Sequence, residues 1–317
     1  MLNKKKLIPG TILAAIIILL LICSIDLDKF ASLRLDFNWL YLFIAFIILI
    51  PVNLIRALRF NYLLDFSFKL TEIFSITTYY NFYTTIFPGG VGELSFIHLI
   101  RKNIDKNISY GLSAIFLTRV YDILLMLLFC GAVLPVIHFT DFNKEKLILF
   151  IIGCVVVISL IAYYLDAVIQ LVNRVFLFLA NKTKSRWIIK IRDILEQTEE
   201  ISKQSKKKAK MVFLLSFFFW AVIFFIIQLL FWAIGVKLNY FESVLLGTIT
   251  NLTNIIPFNT IGGFGYKEVG IAMGLIILKI SKNEAIMISF VFHILSIFFM
   301  TLLGLVGLLV KLITEKK

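Results

Sequence analysis

The sequence predicts an all-α polytopic membrane protein with six full spans plus two re-entrant broken-helix hairpins related by inverted pseudo-symmetry. Three observations lead to this fold class. Of the 317 residues 60% are hydrophobic and the mean hydropathy is +0.96, which is more apolar surface than a soluble domain of this size hides. Several apolar segments are long enough to cross about 30 Å of hydrocarbon as helices. Two further apolar segments are interrupted by Gly-rich stretches that contain a Glu.

The six predicted spans are uninterrupted apolar runs. They are residues 7–25, 39–57, 111–137, 147–165, 211–236 and 285–311. The first run follows three lysines and resembles a signal peptide, but its apolar part is too long and no small-residue cleavage motif follows it. We therefore interpret it as an uncleaved span.

The two interrupted segments are residues 73–100 and 243–280. The first is cut at Pro88-Gly-Gly-Val-Gly-Glu93 and the second between Pro257 and Glu268. Each half has about 10–15 residues, which is too short to span a bilayer but suits a re-entrant half-helix. The alternative is that Pro and Gly only kink two ordinary spans, which membrane helices tolerate.

Charge predicts the orientation of these segments. The net charge is +13, with basic residues scattered over short stretches, which favours cytoplasmic loops facing anionic lipid over nucleic-acid binding. The positive-inside rule places both termini and the basic linker 166–210 in the cytoplasm of a multi-pass cell-membrane protein. The first broken segment then enters from the cytoplasm and the second from outside. They occupy corresponding places in inverted halves, residues 39–137 and 211–311, of a single domain 1–317.

The two breaks also resemble each other in sequence. Each puts Asn and Thr before a Pro, then Gly-Gly-x-Gly and a Glu, and paired interrupted segments point to a midplane substrate site in transporters. The predicted substrate path comprises Asn81, Thr84, Thr85, Gly89, Gly90, Gly92, Glu93, Arg119, Asp122, Asn251, Asn254, Gly262, Gly263, Gly265, Lys267 and Glu268.

The chemistry of this path has alternatives. Free glycine N–H groups and half-helix dipoles would bind an anion such as a lipid phosphate, or the glycines serve only close packing, as in Gly270-x-x-x-Gly274. Glu93 and Glu268 either cap their half-helices or hold a lipid ammonium group or a proton. Arg119 and Asp122, three apart on one helix face, either neutralise each other or present Arg119 to a phosphate.

Three further expectations concern residues outside this path. Arg56 and Arg59 are expected to snorkel to head groups. His98 and His293 have no ligand-spaced partners, so neither a metal site nor another cofactor is predicted. Nucleotide-binding, zinc-protease and serine-hydrolase motifs do not occur. The pair Asp26 and Asp28 leaves a lipid-linked glycosyltransferase as a minor alternative.

Three motifs in order resemble the flippase-like membrane family, which includes the transmembrane domain of lysylphosphatidylglycerol synthase. They are Pro88-Gly-Gly-Val-Gly-Glu93-Leu, Leu117-Thr-Arg119-Val-Tyr-Asp122, and Ile256-Pro257 followed by Gly262-Gly-Phe-Gly-Tyr-Lys-Glu268. The resemblance implies two re-entrant helix pairs around a lipid-sized cavity, and translocation of a phospholipid or polyprenyl-type lipid between leaflets.

The resemblance also sets expectations for partners and activity. The expected partners are anionic or aminoacylated membrane lipids; a second copy of the chain and a separate lipid-modifying enzyme are further candidates, and nucleic acid is not expected. The resemblance does not extend to the synthase domain of the bifunctional relatives, so no lysyltransferase activity is expected. The runner-up function is secondary transport of a small soluble anion through the same hairpins.

Overall fold

The computed structural model describes residues 37–87, 91–101, 108–138, 153, 206–253 and 261–315. Over these residues the chain is all-helical, with eight α-helices, one short 3-10 helix and no strand. In chain order the elements are α1 Trp39–Leu63, α2 Leu70–Ile86, α3 Val91–Arg101, α4 Ile108–His138, α5 Lys206–Ala233, α6 Tyr240–Thr253, the 3-10 helix Ile261–Gly263, α7 Tyr266–Ile277 and α8 Lys282–Glu315.

Four helices are long and apolar enough to cross a membrane. They are Trp39–Leu63, Gly111–Val133, Lys210–Ala233 and Lys282–Thr314, which confirms four of the predicted spans as apolar helices. The other two predicted spans, 7–25 and 147–165, lie outside the described residues. The long helices expose large apolar side chains, such as Trp39 at 74% and Ile313 at 62%, and hydrocarbon is the solvent that suits such a surface.

The two interrupted segments each form a pair of shorter helices. Helices α2 and α3 have 17 and 11 residues, and α6 and α7 have 14 and 12. At about 1.5 Å per residue these helices measure roughly 17–26 Å, less than the ~30 Å of a bilayer core. The helices thus end where the sequence predicts the breaks. Entry and exit on one side of the membrane stays a prediction.

A tight turn leads from α1 into α2. Asp65 and Phe66 adopt φ values of +59° and +54°, a region that side chains other than Gly rarely occupy. The buried Asn61 amide holds this turn, because its Nδ2 donates to the Phe68 carbonyl at 2.9 Å and its Oδ1 accepts from the Phe68 N–H at 3.2 Å. This polar residue at the end of an apolar helix therefore has a structural role.

Side chains cap the first turns of α6 and α8, away from the second break. At the start of α6, Asn239 and Glu242 bond reciprocally, each side chain accepting the other residue's backbone N–H at 2.9 and 2.7 Å. At the start of α8, the Glu284 N–H donates to the Ser281 hydroxyl oxygen at 3.4 Å, and that hydroxyl donates to the Glu284 carboxylate at 2.7 Å. These caps satisfy N–H groups that the first turn of a helix leaves unpaired.

The chain divides into two compact units that interleave along the sequence. One contains residues up to Asn53, Thr78–Ser95 and Ala221 onward, and the other contains Leu54–Thr77 and Phe96–Trp220. In the first unit Phe231 and Phe292 stack with centroids 4.5 Å apart. In the second unit Phe60 packs on Phe96 at 4.6 Å. Each unit thus has its own aromatic core.

Candidate functional site

Both broken pairs pack their two helices through a threonine and a glycine. Thr84, four residues before Pro88, lies against Gly92, and Thr253, four residues before Pro257, lies against Gly270. A Cβ atom at Gly92 would come within 2.8 Å of the Thr84 Cα, and one at Gly270 within 2.8 Å of the Thr253 Cγ2. The sequence predicts similar breaks, and the structure adds that in each pair the threonine four residues before the Pro packs on a glycine of the second helix. The two glycines differ in position, since Gly92 precedes Glu93 by one residue and Gly270 follows Glu268 by two.

The hydroxyl and amide groups before each break bond back to their own helix. Thr84 donates to the Tyr80 carbonyl at 2.6 Å and Thr85 to the Asn81 carbonyl at 2.8 Å. In α6, Asn251 donates to Gly247 at 2.8 Å and Thr253 to Thr250 at 2.6 Å. The hydroxyl donors of Thr84, Thr85 and Thr253 are therefore occupied, while a hydroxyl oxygen that donates can still accept a hydrogen bond.

Asn81 also joins a polar contact that the sequence did not single out. Its Nδ2 donates to the Oδ1 of Asn53 at 2.5 Å, and Asn53 donates to the Leu49 carbonyl at 2.9 Å. Both asparagines are buried. Asn53 follows Pro51 inside the apolar helix α1, and a polar residue in such a place is the signal that would have identified it.

Glu268 is the most enclosed acid of the described site. Its exposure is 0%, although it lies in the first turn of α7. One carboxylate oxygen accepts the Gly265 N–H at 2.6 Å, and the other lies 2.6 Å from Nδ1 of His293 in α8. The capping role proposed for Glu268 is thus present, together with a buried imidazole partner that the sequence did not predict.

The same geometry corrects one expectation about the glycines. The N–H of Gly265, expected to be free for an anion, is donated to Glu268. Gly262, Gly263 and Gly265 adopt φ values of +66°, +73° and +95°, and such left-handed backbone strongly favours Gly. Backbone conformation therefore gives these three positions a reason to be Gly, while anion binding by the N–H groups of Gly262 and Gly263 stays a prediction.

Lys267 covers the glycine turn. A Cβ atom on Gly263 would lie 2.7 Å from Cε and 2.9 Å from Nζ of Lys267. The lysine side chain therefore runs directly over the backbone of the break, one residue from the buried Glu268. A cation and a buried anion therefore lie next to each other in sequence at the second break.

Glu93 differs from its counterpart Glu268. It lies in the first turn of α3 and is half-buried, whereas Glu268 is fully enclosed. Gly92 beside it is buried against Thr84. The first break therefore has the more accessible carboxylate.

Asp122 lies in the second unit, where Arg59 is its ion-pair partner. Nη2 of Arg59 lies 2.7 Å from Oδ1 of Asp122, and Nε1 of Trp220 donates to the same oxygen at 2.9 Å. Arg59 is 0% exposed, so the expectation that it snorkels to head groups is wrong, because burying the guanidinium is compensated by this carboxylate. Arg119, the expected partner from the same helix, is exposed.

Arg56 also contacts another side chain of the protein. Its guanidinium lies over the ring of Phe219 with 4.5 Å to the centroid, and Arg59 approaches the same ring at 5.2 Å. Cation–π contacts of this kind stabilise a desolvated guanidinium. The sequence did not identify Phe219 or Trp220, which lie in α5 far along the chain.

Some predicted positions lie outside the described residues. They are Gly89, Gly90, Asn254, Asp26 and Asp28. In the part of the chain that the structure describes, no three His, Cys, Asp or Glu side chains are grouped as metal ligands would be.

Comparison with known proteins identifies a family and one curated relative. The model of the family described as lysylphosphatidylglycerol synthase TM region matches residues 7–304. The chain is 24% identical over 326 residues to the UPF0104 membrane protein MJ1595 of Methanocaldococcus jannaschii, covering 97% of this chain and 96% of that protein. No solved structure matches the chain.

Proposed function

The chain belongs to the lysylphosphatidylglycerol synthase transmembrane family, and from that premise we propose that it is a lipid translocase, a flippase or scramblase that moves a phospholipid or polyprenyl-type head group between leaflets. The observation that carries the proposal is that the chain has two helix breaks, and that at each break a threonine of the first helix packs against a glycine of the second. Polar, irregular backbone inside an apolar chain must line a cavity or be buried in protein. A head group passing between the breaks would meet polar groups while its tails stay in lipid.

The chemistry of the breaks favours a head group that carries both charges. The threonine and asparagine oxygens before each break are acceptors, which suit an ammonium or hydroxyl group. Glu93 adds a half-buried carboxylate, and Lys267 supplies a cation for a phosphate. Zwitterionic and aminoacylated phospholipids combine these features, so we propose them ahead of purely anionic lipids.

Reconstitution tests the proposal directly. The purified chain is placed in vesicles with fluorescent lipids that carry anionic, zwitterionic or aminoacylated head groups, and a membrane-impermeant quencher reports exchange between leaflets. We expect exchange above that of empty vesicles, fastest for lipids with an ammonium group. Background exchange for every lipid contradicts the proposal. Uptake of inorganic phosphate in the same vesicles, without lipid exchange, would instead indicate a soluble-anion transporter.

Two glutamates provide a matched pair of variants. Glu242 and Glu268 each accept a backbone N–H near the start of a helix of the second pair, but only Glu268 lies at the break. We expect Glu268→Gln to slow exchange and Glu242→Gln to leave it near the wild-type rate. Equal rates for the two variants would indicate that the acid at the break is only structural.

The proposed topology has a separate test. Single cysteines replace Ser67, Lys237 and Lys279, which are exposed at helix ends, in a chain without its three native cysteines. If the second pair re-enters from outside, an impermeant thiol reagent labels positions 237 and 279 on intact cells and position 67 only after permeabilisation. Labelling of positions 237 and 279 from opposite sides would show that the α6–α7 segment crosses the membrane.

We also propose that the chain transports lipid and does not synthesise it. The family match is to a transmembrane region, and the proposed path uses no group-transfer chemistry. Incubation of the purified chain with charged lysyl-tRNA and phosphatidylglycerol should give no lysyl lipid. A separate lipid-modifying enzyme would then supply any aminoacylated substrate.

A further inference from the structure

The second break contains a buried carboxylate–imidazole pair that the translocation of a lipid does not by itself require. Glu268 and His293 are 0% and 1% exposed and lie 2.6 Å apart. His293 lies in the first half of α8, and the charged residues of α8 nearest to it in sequence are Glu284 and Lys311. An ionisable pair at such a depth is costly and is usually retained for function.

One of the two hydrogen bonds of Glu268 has a fixed direction. A backbone N–H only donates, so the Glu268 oxygen that faces Gly265 is an acceptor. For the contact of the other oxygen with Nδ1 of His293 we assign the proton to Nδ1, because an ionised carboxylate only accepts. That proton leaves Nε2 of His293 as the position where the next proton can bind.

Nε2 of His293 is the second observation that points to a ligand. It is buried and has no hydrogen-bond partner among the described residues. Buried polar atoms are nearly always paired, so this unpaired nitrogen is a position where a ligand or a proton can bind. Phe264 packs on the other side of the imidazole with centroids 4.8 Å apart, which restricts the ring to its position.

Among the described residues, few charged groups lie on the helices that pack around the pair. Lys267 acts electrostatically on Glu268. Helix α6, which packs on α7, carries its titratable groups Tyr240 and Glu242 in its first turn, at the opposite end of the helix from Thr253, which lies against Gly270. One added proton therefore changes the net charge of the pair in an environment with little else to compensate it.

We infer that Glu268 and His293 form a proton-binding site that couples proton movement to the opening of the second break. In the deprotonated form the imidazole is neutral and donates from Nδ1 to the Glu268 carboxylate. A proton from one aqueous side binds the Nε2 lone pair, giving an imidazolium paired with the carboxylate, and leaves from Nε2 to the other side. No other bond forms or breaks.

The coupling follows from the two bonds of Glu268. The same carboxylate caps α7 at Gly265 and holds α8 through His293. A proton on Nε2 turns this hydrogen bond to a carboxylate into an ion pair as well, so a charge–charge attraction in a low-dielectric site is added to the contact with α8. Loading the site therefore tightens α7 against α8, and unloading it releases the break. This inference rests on the proposed lipid exchange.

Proton binding is measured first, independently of transport. The ¹⁵N-histidine NMR spectrum of the purified protein in nanodiscs is followed from pH 4 to 9, with His293→Gln to assign the signal and the exposed His98 as internal reference. We expect His293 to titrate at Nε2 and its titration to move in Glu268→Gln. A His293 that keeps one protonation state over this range refutes the site, whether or not the protein moves lipid.

Coupling is measured in vesicles with an imposed pH gradient. With one proton per lipid, a gradient of one pH unit shifts the leaflet distribution of the lipid about tenfold, since each pH unit corresponds to a factor of ten in the proton's contribution. We expect this shift in wild type and its loss in His293→Gln. Ser289→Ala, which removes another buried polar group of α8, should keep it.

The outcomes separate the two proposals. Lipid exchange whose leaflet distribution does not change with the pH gradient refutes the coupling and leaves the proposed function intact. A complete absence of exchange for every lipid refutes the proposed function, and the NMR titration still decides whether the pair binds a proton.

Discussion

Replacing Asp122 by Asn should destabilise the protein strongly, because it leaves a buried guanidinium without its counter-charge. Arg59 is 0% exposed and the Asp122 side chain 10%, with 2.7 Å between the charged atoms. Nε and Nη1 of Arg59 have no hydrogen-bond partner among the described residues, so beside the Phe219 ring at 5.2 Å the Asp122 carboxylate is the main compensation of the charge. Removing one partner of such a pair costs about 3–5 kcal/mol.

The same reasoning predicts that removing both charges restores most of the loss. The double variant Arg59→Leu with Asp122→Leu leaves neither group unpaired, and apolar replacement of buried ion pairs is often neutral or stabilising. The matched control is Arg119→Gln in the same helix as Asp122. Arg119 is exposed, and an exposed charge contributes about 0–1 kcal/mol.

Thermal unfolding of the purified variants in one detergent measures these effects. About 3–5 kcal/mol corresponds to a fall in Tm of roughly 6–20 °C, at roughly 2–4 °C per kcal/mol. We expect the order wild type, Arg119→Gln and the double variant together, then Asp122→Asn well below. Two results would refute the reasoning: an Asp122→Asn variant as stable as wild type, or a larger loss from Arg119→Gln than from Asp122→Asn.

Three other predictions use the same unfolding measurement. Gly92→Ala should lower Tm clearly, because the added methyl group would lie 2.8 Å from the Thr84 Cα and force the helices apart. Gly274→Ala should change Tm little, because the nearest atom to its added methyl group is 3.3 Å away; equal shifts in Tm for the two variants would argue against the close approach at Gly92. Gly263→Ala should cost roughly 1–2 kcal/mol for a left-handed backbone, given its φ of +73°, and an unchanged Tm would contradict that φ. Trp220→Phe keeps an aromatic ring but removes the indole donor, for a loss of about 1.5–3 kcal/mol, and a neutral result would mean that this hydrogen bond contributes nothing.

Much of the fold follows from hydropathy alone. Long apolar runs become the helices α1, α4, α5 and α8 because an apolar chain must satisfy its backbone internally, and a helix does so within one segment. The places where helices end were also predictable. Pro88 and Pro257 lack an N–H, and the Gly-rich stretches that follow them disfavour a continuous helix.

The candidate site was predictable only in part. Glu268 could be identified because an acid after a Gly-rich break is rare in apolar sequence, and its capping bond to Gly265 is local, three residues apart. His293 is 25 residues away and Arg59 is 63 residues from Asp122. Spacing along one helix suggested Arg119 for Asp122, since only neighbours three or four apart can be matched from sequence.

The matched breaks show most clearly what each level of structure decides. Composition and local backbone chemistry by themselves determined that this chain is helical, suits a membrane and is interrupted twice by polar, Gly-rich stretches. Only tertiary packing decided that Thr84 contacts Gly92, that Thr253 contacts Gly270, and that Glu268 pairs with the imidazole of His293 in α8. The reason is physical: a buried charge or a close helix contact is satisfied by whichever group the fold brings within about 3 Å, and separation along the chain does not restrict which group that is.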